Sequence, residues 1–184
     1  MISKFYEIDK HKDKINFYLF YGENEGLKLD TIKANFNNFT KENTYKYSEK
    51  DIIQNKQSFF EKIYSKSFFE NEKLILISDV TDKSFELIQE IKNSVISDVI
   101  IILLANKLEK KSKIRNFFEK DNEILIIPFY EDTTQTLITI GKKILNDSKV
   151  SLSQENLNLI IERCQGNRIN LRNELEKILC LSKN

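Results

Sequence analysis

Histidine occurs once, as His11, and cysteine twice, as Cys164 and Cys180. That scarcity removes the usual ligand sets for zinc and the Ser/His/Asp or Cys/His arrangements of nucleophilic catalysis. Neither a metal site nor a catalytic nucleophile is expected. Both cysteines fall on apolar faces of segments with helical periodicity, which reads as buried, reduced thiols. Long apolar runs are also missing: none reaches the ~18 residues of a membrane-spanning helix. Residues 1–14 are polar and lack the apolar core of a signal peptide. No membrane partner is expected, and the compartment reads as the cytoplasm. Charge of one sign is absent too: 29 basic residues stand against 28 acidic ones, a net of +1, so no strongly charged partner is announced. The basic residues are nearly all Lys, with four Arg. Abundant Asn and Ile accompany them, as in AT-rich coding, which raises Lys without implying nucleic acid.

What is present describes a globular chain. Its 184 residues suffice for one medium domain or two small ones, and 11% are aromatic. Four short runs, Phe17–Tyr21, Leu74–Ile77, Val99–Leu104 and Ile124–Ile127, are continuously apolar rather than alternating. That pattern predicts strands covered on both faces of a parallel sheet, with a weaker fifth strand near Thr44–Tyr47. Glu25–Phe39, Glu49–Tyr64, Ser84–Val95 and Glu109–Lys120 read as the helices between them. In the last, Ile114, Phe117 and Phe118 form one face while Lys110, Lys111, Lys113 and Arg115 look outward. Alternation of strand and helix predicts right-handed crossovers and a three-layer α/β fold.

After Pro128 the pattern changes to three helical segments. The first is Thr133–Asn146, and the second carries Leu157, Ile160, Ile161 and Cys164. The third carries Leu171, Leu175, Ile178 and Leu179. Ser151 with Gln154 is the expected capping box of the second, and Gly166 its stop. The expected organisation is an α/β domain over 1–130 and a helical bundle over 131–184.

The first strand runs into Gly22-Glu23-Asn24-Glu25-Gly26-Leu27-Lys28 and then a helix, where a phosphate-binding loop would sit. A working loop reads GxxxxGK[ST]: backbone N–H groups cradle phosphate, Lys balances its charge, and a hydroxyl holds magnesium. Here the glycines are four apart rather than five, Lys28 does not directly follow Gly26, and Leu27 and Leu29 stand where a hydroxyl is needed. Glu23 and Glu25 add negative charge. The loop is degenerate at Gly22, Gly26 and Lys28, and no nucleotide cofactor is expected.

An α/β nucleotide-fold domain followed by a three-helix lid is the layout of AAA+ proteins, and local sequences narrow it. Phe17-Tyr18-Leu19-Phe20-Tyr21-Gly22-Glu23-Asn24-Glu25 resembles the YLLYGEDE opening of the bacterial DNA polymerase III delta subunit family. Ser67-Phe68-Phe69-Glu70-Asn71-Glu72-Lys73-Leu74-Ile75-Leu76-Ile77 resembles that family's segment of a small or apolar residue and Phe followed by Lys-Leu and a hydrophobic run. Leu104–Lys113 is similar to its KLDKRSKL stretch, and Leu171–Ile178 to its LxNELEKL lid ending. The four motifs stand in family order across almost the whole chain. The family continues into a helical collar domain, so the resemblance implies its N-terminal two domains.

The resemblance implies a clamp-loader subunit, part of the DNA polymerase III holoenzyme, that binds and opens the sliding clamp (the beta subunit) without hydrolysing ATP. Its other implied partners are the delta prime and gamma/tau subunits, and DNA within the assembled complex. The family's hydrophobic clamp-binding wedge falls on Phe68 and Phe69, flanked by Lys66 and Ser67. Residues Ser58-Phe59-Phe60-Glu61-Lys62 nearly repeat nine positions later as Ser67-Phe68-Phe69-Glu70-Asn71. Nine residues turn a helix by about half a turn beyond whole turns, so one Phe pair faces the core and the other faces out. The competing reading has Phe68 and Phe69 cap their own core.

Other features carry two readings each. Lys107, Lys110, Lys111, Lys113 and Arg115 could touch DNA phosphates or a neighbouring subunit, or simply be a solvated helix face. Arg172–Lys177 could serve assembly, or Glu174 could pair locally with Lys177 or Arg172. Asp79, alone after an apolar strand, could be taken for a magnesium ligand or for a strand-end turn carboxylate. Two alternative functions remain at this stage: a divergent P-loop NTPase that still binds nucleotide, and a stand-alone DNA-binding module.

Overall fold

The computed structural model describes residues 1–65, 72–94 and 98–182. The chain forms two compact units, Met1–Glu23 with Asp30–Phe129, and Asn24–Leu29 with Tyr130–Asn184.

In the first unit the apolar runs become strands β1 (Phe17–Tyr21), β3 (Lys73–Ser78), β4 (Val99–Ala105) and β5 (Leu125–Pro128), joined by β2 (Thr44–Ser48). All pair in parallel in the order β2-β3-β4-β1-β5. Every residue of β1 is buried, as a central strand covered on both faces requires. Edge strand β2 is only half-buried, which is why its sequence signal is weak.

Side chains alternate between the faces. Phe17, Leu19 and Tyr21 share one face with Ile52, Phe59, Ile63, Ile88, Ile91, Ile114 and Phe118. These come from helices α2 (Glu49–Gln54), α3 (Lys56–Tyr64), α4 (Phe85–Ser94) and α5 (Lys113–Lys120). Tyr18 and Phe20 take the opposite face, against the rings of Phe36 and Phe129. Phe36 lies just beyond helix α1 (Glu25–Asn35), which ends before the expected Phe39.

The helix expected over Glu49–Tyr64 is two helices. Asn55, at φ −120° and ψ 43°, leaves the helical region and separates α2 from α3. A capping box between Ser48 and Asp51 starts α2. Likewise α5 begins at Lys113 rather than Glu109. Ser112 is its cap, accepting from the Arg115 N–H at 3.3 Å, and Asp82, from a distant turn, accepts from the Lys113 and Ile114 N–H groups at 3.0 and 3.1 Å.

The second unit contains α6 (Thr134–Asp147), α7 (Gln154–Arg163) and α8 (Arg168–Leu181). Leu137, Leu145, Leu157, Ile161, Cys164, Leu171 and Leu175 form its core. The cap of α7 is Ser153, whose side chain accepts from the Asn156 N–H; the expected Ser151 lies two residues too early. Cys164 is buried as expected, but Cys180 is exposed because it falls off the stripe of Leu171 and Leu175. Among the described residues, no helix is long and apolar enough to cross a membrane.

Candidate functional site

The degenerate loop follows the carboxyl end of β1, where ligands sit in open α/β sheets. Gly22, in the first unit, has φ +126°, and a Cβ built on it would lie 2.1 Å from the Phe129 carbonyl oxygen. Its N–H donates to the carbonyls of Ala105 and Asn106, both at 3.2 Å. The Phe129 N–H donates in turn to the Tyr21 carbonyl at 2.7 Å. This glycine is demanded by the close passage of the chain's own backbone, which accounts for it without any phosphate.

Residues 24–29 belong to the second unit. Asn24 caps α1: its Oδ1 accepts from the Leu27 N–H at 3.0 Å. Its side-chain amide donates to the Tyr130 carbonyl at 2.9 Å and to Asp132 Oδ2 at 3.0 Å. Arg168, the first residue of α8, donates from Nε to the same Oδ2 at 2.7 Å and from Nη2 to Oδ1. The side chains of this pair are 8% and 3% exposed. The Arg168 stem lies along Gly26, where a Cβ would come 2.4 Å from its Cγ. Lys28, the residue nearest in kind to a phosphate-balancing lysine, is buried and pairs with Glu25 at 2.5 Å. Glu23 stays exposed. Gly26 thus admits a side chain, and Lys28 turns back on its own helix.

Asp79 is exposed at φ 60° and accepts from the Ser78 hydroxyl at 3.0 Å. No group of three or more metal-ligating side chains exists among the described residues.

Lys107, Lys110, Lys111 and Lys113 are exposed, and Lys111 pairs with Glu109 at 2.9 Å. Arg115 departs from the expected outward face. It donates to Glu119 at 2.8 Å and to the Leu108 carbonyl at 3.0 Å, and lies over the Tyr21 ring at 5.1 Å. Glu174 and Lys177 pair at 2.6 Å, as in the local reading of that motif.

Lys66, Ser67, Phe68 and Phe69 lie outside the described residues. Of the earlier aromatic pair, Phe59 is buried and Phe60 half-buried. Lys73 Nζ, at the start of β3, donates to the Lys62 carbonyl at 3.2 Å and to Ser65 Oγ at 3.0 Å. A buried ammonium thereby caps the end of α3 and fixes Ser65 and Lys73 relative to each other.

Asn24, Asp132 and Arg168 were not singled out from the sequence. One signal was available: in a chain that uses Lys for nearly all basic charge, the four Arg residues are the places to look for a planar, multi-donor cation with a role that Lys does not fill.

No protein-family profile and no curated protein sequence matches this chain. Solved structures do. The DNA clamp loader delta protein of Bacillus subtilis superposes with a TM-score of 0.60 at 13% identity, over 96% of this chain and 57% of that one. Domain III of the replication initiation protein DnaA of Thermotoga maritima gives 0.60 at 19% identity, over 97% and 81%. A RuvB variant of Thermotoga maritima gives 0.60 at 16% identity, over 97% and 60%. The chain therefore spans little more than half the length of the clamp loader delta protein. At these identities the likeness is one of fold: an AAA+-like parallel α/β unit with flanking helices, and a small helical unit after it in the chain.

Proposed function

We propose that this chain is a clamp-loader subunit of the delta type, which binds and opens the sliding clamp during DNA replication without hydrolysing ATP. The observation that carries the reading is the occupied loop. In a fold of the AAA+ type, Lys28 is committed to Glu25 and the stem of Arg168 fills the space at Gly26. Such a chain contributes binding rather than chemistry. The four sequence motifs of the delta subunit family add to this, and so does the likeness in fold to a protein named as a DNA clamp loader delta protein.

In this reading residues 1–130 form the clamp-binding domain and 131–184 the lid. Phe68 and Phe69, flanked by Lys66 and Ser67, enter a hydrophobic pocket of the clamp; buried aromatic anchors of this kind dominate interface energetics. The clamp's closed-to-open equilibrium then shifts by the differential affinity of this subunit for the two states. ATPase subunits elsewhere in the complex control exposure of the wedge, and delta prime and gamma/tau are the partner subunits. The exposed Lys110, Lys111 and Lys113, with Arg115 behind them, face DNA or a neighbouring subunit in the cytoplasmic assembly.

The test is to mix the protein with a bacterial sliding clamp and follow complex formation by size-exclusion chromatography. The Phe68→Ala/Phe69→Ala double variant should lose the complex while keeping its circular dichroism spectrum. Unchanged affinity of that variant, or no complex with the native chain, removes the assignment. Tight, magnesium-dependent ATP binding would turn the reading toward a divergent NTPase.

A further inference from the structure

We propose that the Asp132 carboxylate is the resident anion of the degenerate loop, a protein-borne group in the role that an external phosphate plays in a functional one. A phosphate-binding loop needs three things at the start of its helix: the positive end of the helix, N–H donors aimed at an oxyanion, and a cation to balance charge. In the second unit the helix start is taken up by Asn24, and the other two, N–H donors and a cation, converge on one carboxylate. The first turn of α1 is capped by Asn24, whose amide N–H donates to Asp132 Oδ2 at 3.0 Å. Arg168 supplies both the cation and a two-pronged donor, Nε to Oδ2 at 2.7 Å and Nη2 to Oδ1. Paired donors of this geometry suit a carboxylate and a phosphate equally.

Burial makes the arrangement permanent. With the Asp132 side chain 3% exposed and that of Arg168 8% exposed, the pair is largely desolvated, and breaking one partner away strands a charge. No buried side-chain nitrogen or oxygen among the described residues lacks a partner. The carboxylate arrives tethered, at an effective concentration a free anion in the cell does not match. The start of α1 is therefore held to Tyr130, Asp132 and Arg168 without a nucleotide, and this connection does not respond to one. This inference stands on the second unit alone and is independent of whether the chain binds a clamp.

Removing the carboxylate should uncover the site it fills. The experiment compares thermal unfolding of the native chain, Asp132→Ala and Asp132→Ala/Arg168→Met in inorganic pyrophosphate and in sodium chloride of equal ionic strength. The native midpoint should be the same in both salts. The Asp132→Ala midpoint should fall below native in sodium chloride, and pyrophosphate at about tenfold its dissociation constant should raise it by roughly 3 °C or more. The double variant should lose that rescue. The proposal is overturned if pyrophosphate stabilises the native chain as strongly as Asp132→Ala, if Asp132→Ala is not rescued, or if rescue survives without Arg168. Should Asp132→Ala fail to fold, Asp132→Ser, which also vacates most of the space, takes its place. The native chain also tests the idea by itself, because a pyrophosphate-induced shift of the Gly26 amide resonance would show a vacant anion site and refute it.

Discussion

Replacing Gly26 with Ala reads out the packing of the loop through the sign of a stability change. Gly26 lies in the first turn of α1, and elsewhere in an exposed helix this exchange stabilises by up to ~1 kcal/mol. Here the new Cβ would sit 2.4 Å from Arg168 Cγ, 2.8 Å from its Cδ and 3.0 Å from Ile169 Cγ1. Carbon atoms prefer separations of about 3.5–4.0 Å, so the Arg168 stem must move by roughly 1 Å. Its two ends are held, one by the backbone of α8 and the other by both oxygens of Asp132. Overpacking of this kind costs about 1–3 kcal/mol, and a weakened bond to a charged group about as much again. Subtracting the helix term, Gly26→Ala should destabilise by about 1–5 kcal/mol. In an Asp132→Asn/Arg168→Ala background the stem is gone, and the same exchange should stabilise by about 0.5 kcal/mol, with the tight contact to Ile169 limiting the gain. Urea denaturation followed by far-ultraviolet circular dichroism measures both steps. A stabilising Gly26→Ala in the native chain, or an equal cost in both backgrounds, would refute the packing argument.

Three further outcomes follow from single side chains. Burial pushes the Asp82 carboxyl up, but bonds from the Ile114 N–H, the Ser112 hydroxyl and the Lys113 N–H outweigh it and leave it below its ordinary value. Its contribution is therefore complete above the unfolded value near ~3.9 and fades as pH falls through the lower folded one. Asp82→Asn should cost about 1 kcal/mol at neutral pH, and urea midpoints of variant and native chain should converge in strong acid; a gap that widens there contradicts the cap. Buried Glu49 accepts from the Thr81 N–H at 2.7 Å and the Ser84 hydroxyl at 2.6 Å. Glu49→Ala, which leaves the Thr81 N–H and the Ser84 hydroxyl without this acceptor, should cost about 1–3 kcal/mol in the same assay, and a neutral result would mean these bonds contribute nothing. Leu171 is fully buried in the helical unit, so Leu171→Ala should cost about 2–5 kcal/mol. Hydrogen exchange should then speed first in α6, α7 and α8; unchanged protection there would misplace that core.

How legible each feature was depended on how local its cause is. The central strands were readable because burial on both faces demands uninterrupted apolar residues, as in Phe17–Tyr21 and Val99–Ala105. The order of the sheet was not written in any one strand. A boundary set partly at a distance was misjudged: α5 starts four residues later than its pattern suggests, where Ser112 caps it and Asp82, from another turn, takes the Lys113 and Ile114 N–H groups. Arg115 looked like part of a basic face by spacing, yet a carboxylate, a carbonyl and a ring within reach draw it inward.

The sequence by itself determined that the loop after β1 departs from the GxxxxGK[ST] pattern, since residue types and spacing are properties of the chain alone. Only the tertiary structure decided what stands there instead. Asp132 and Arg168 are 36 residues apart and meet across the helical unit, and nothing in their separation along the chain announces a pair. Local chemistry is carried by neighbours in sequence, whereas a buried ion pair exists only once folding has removed water from around both partners.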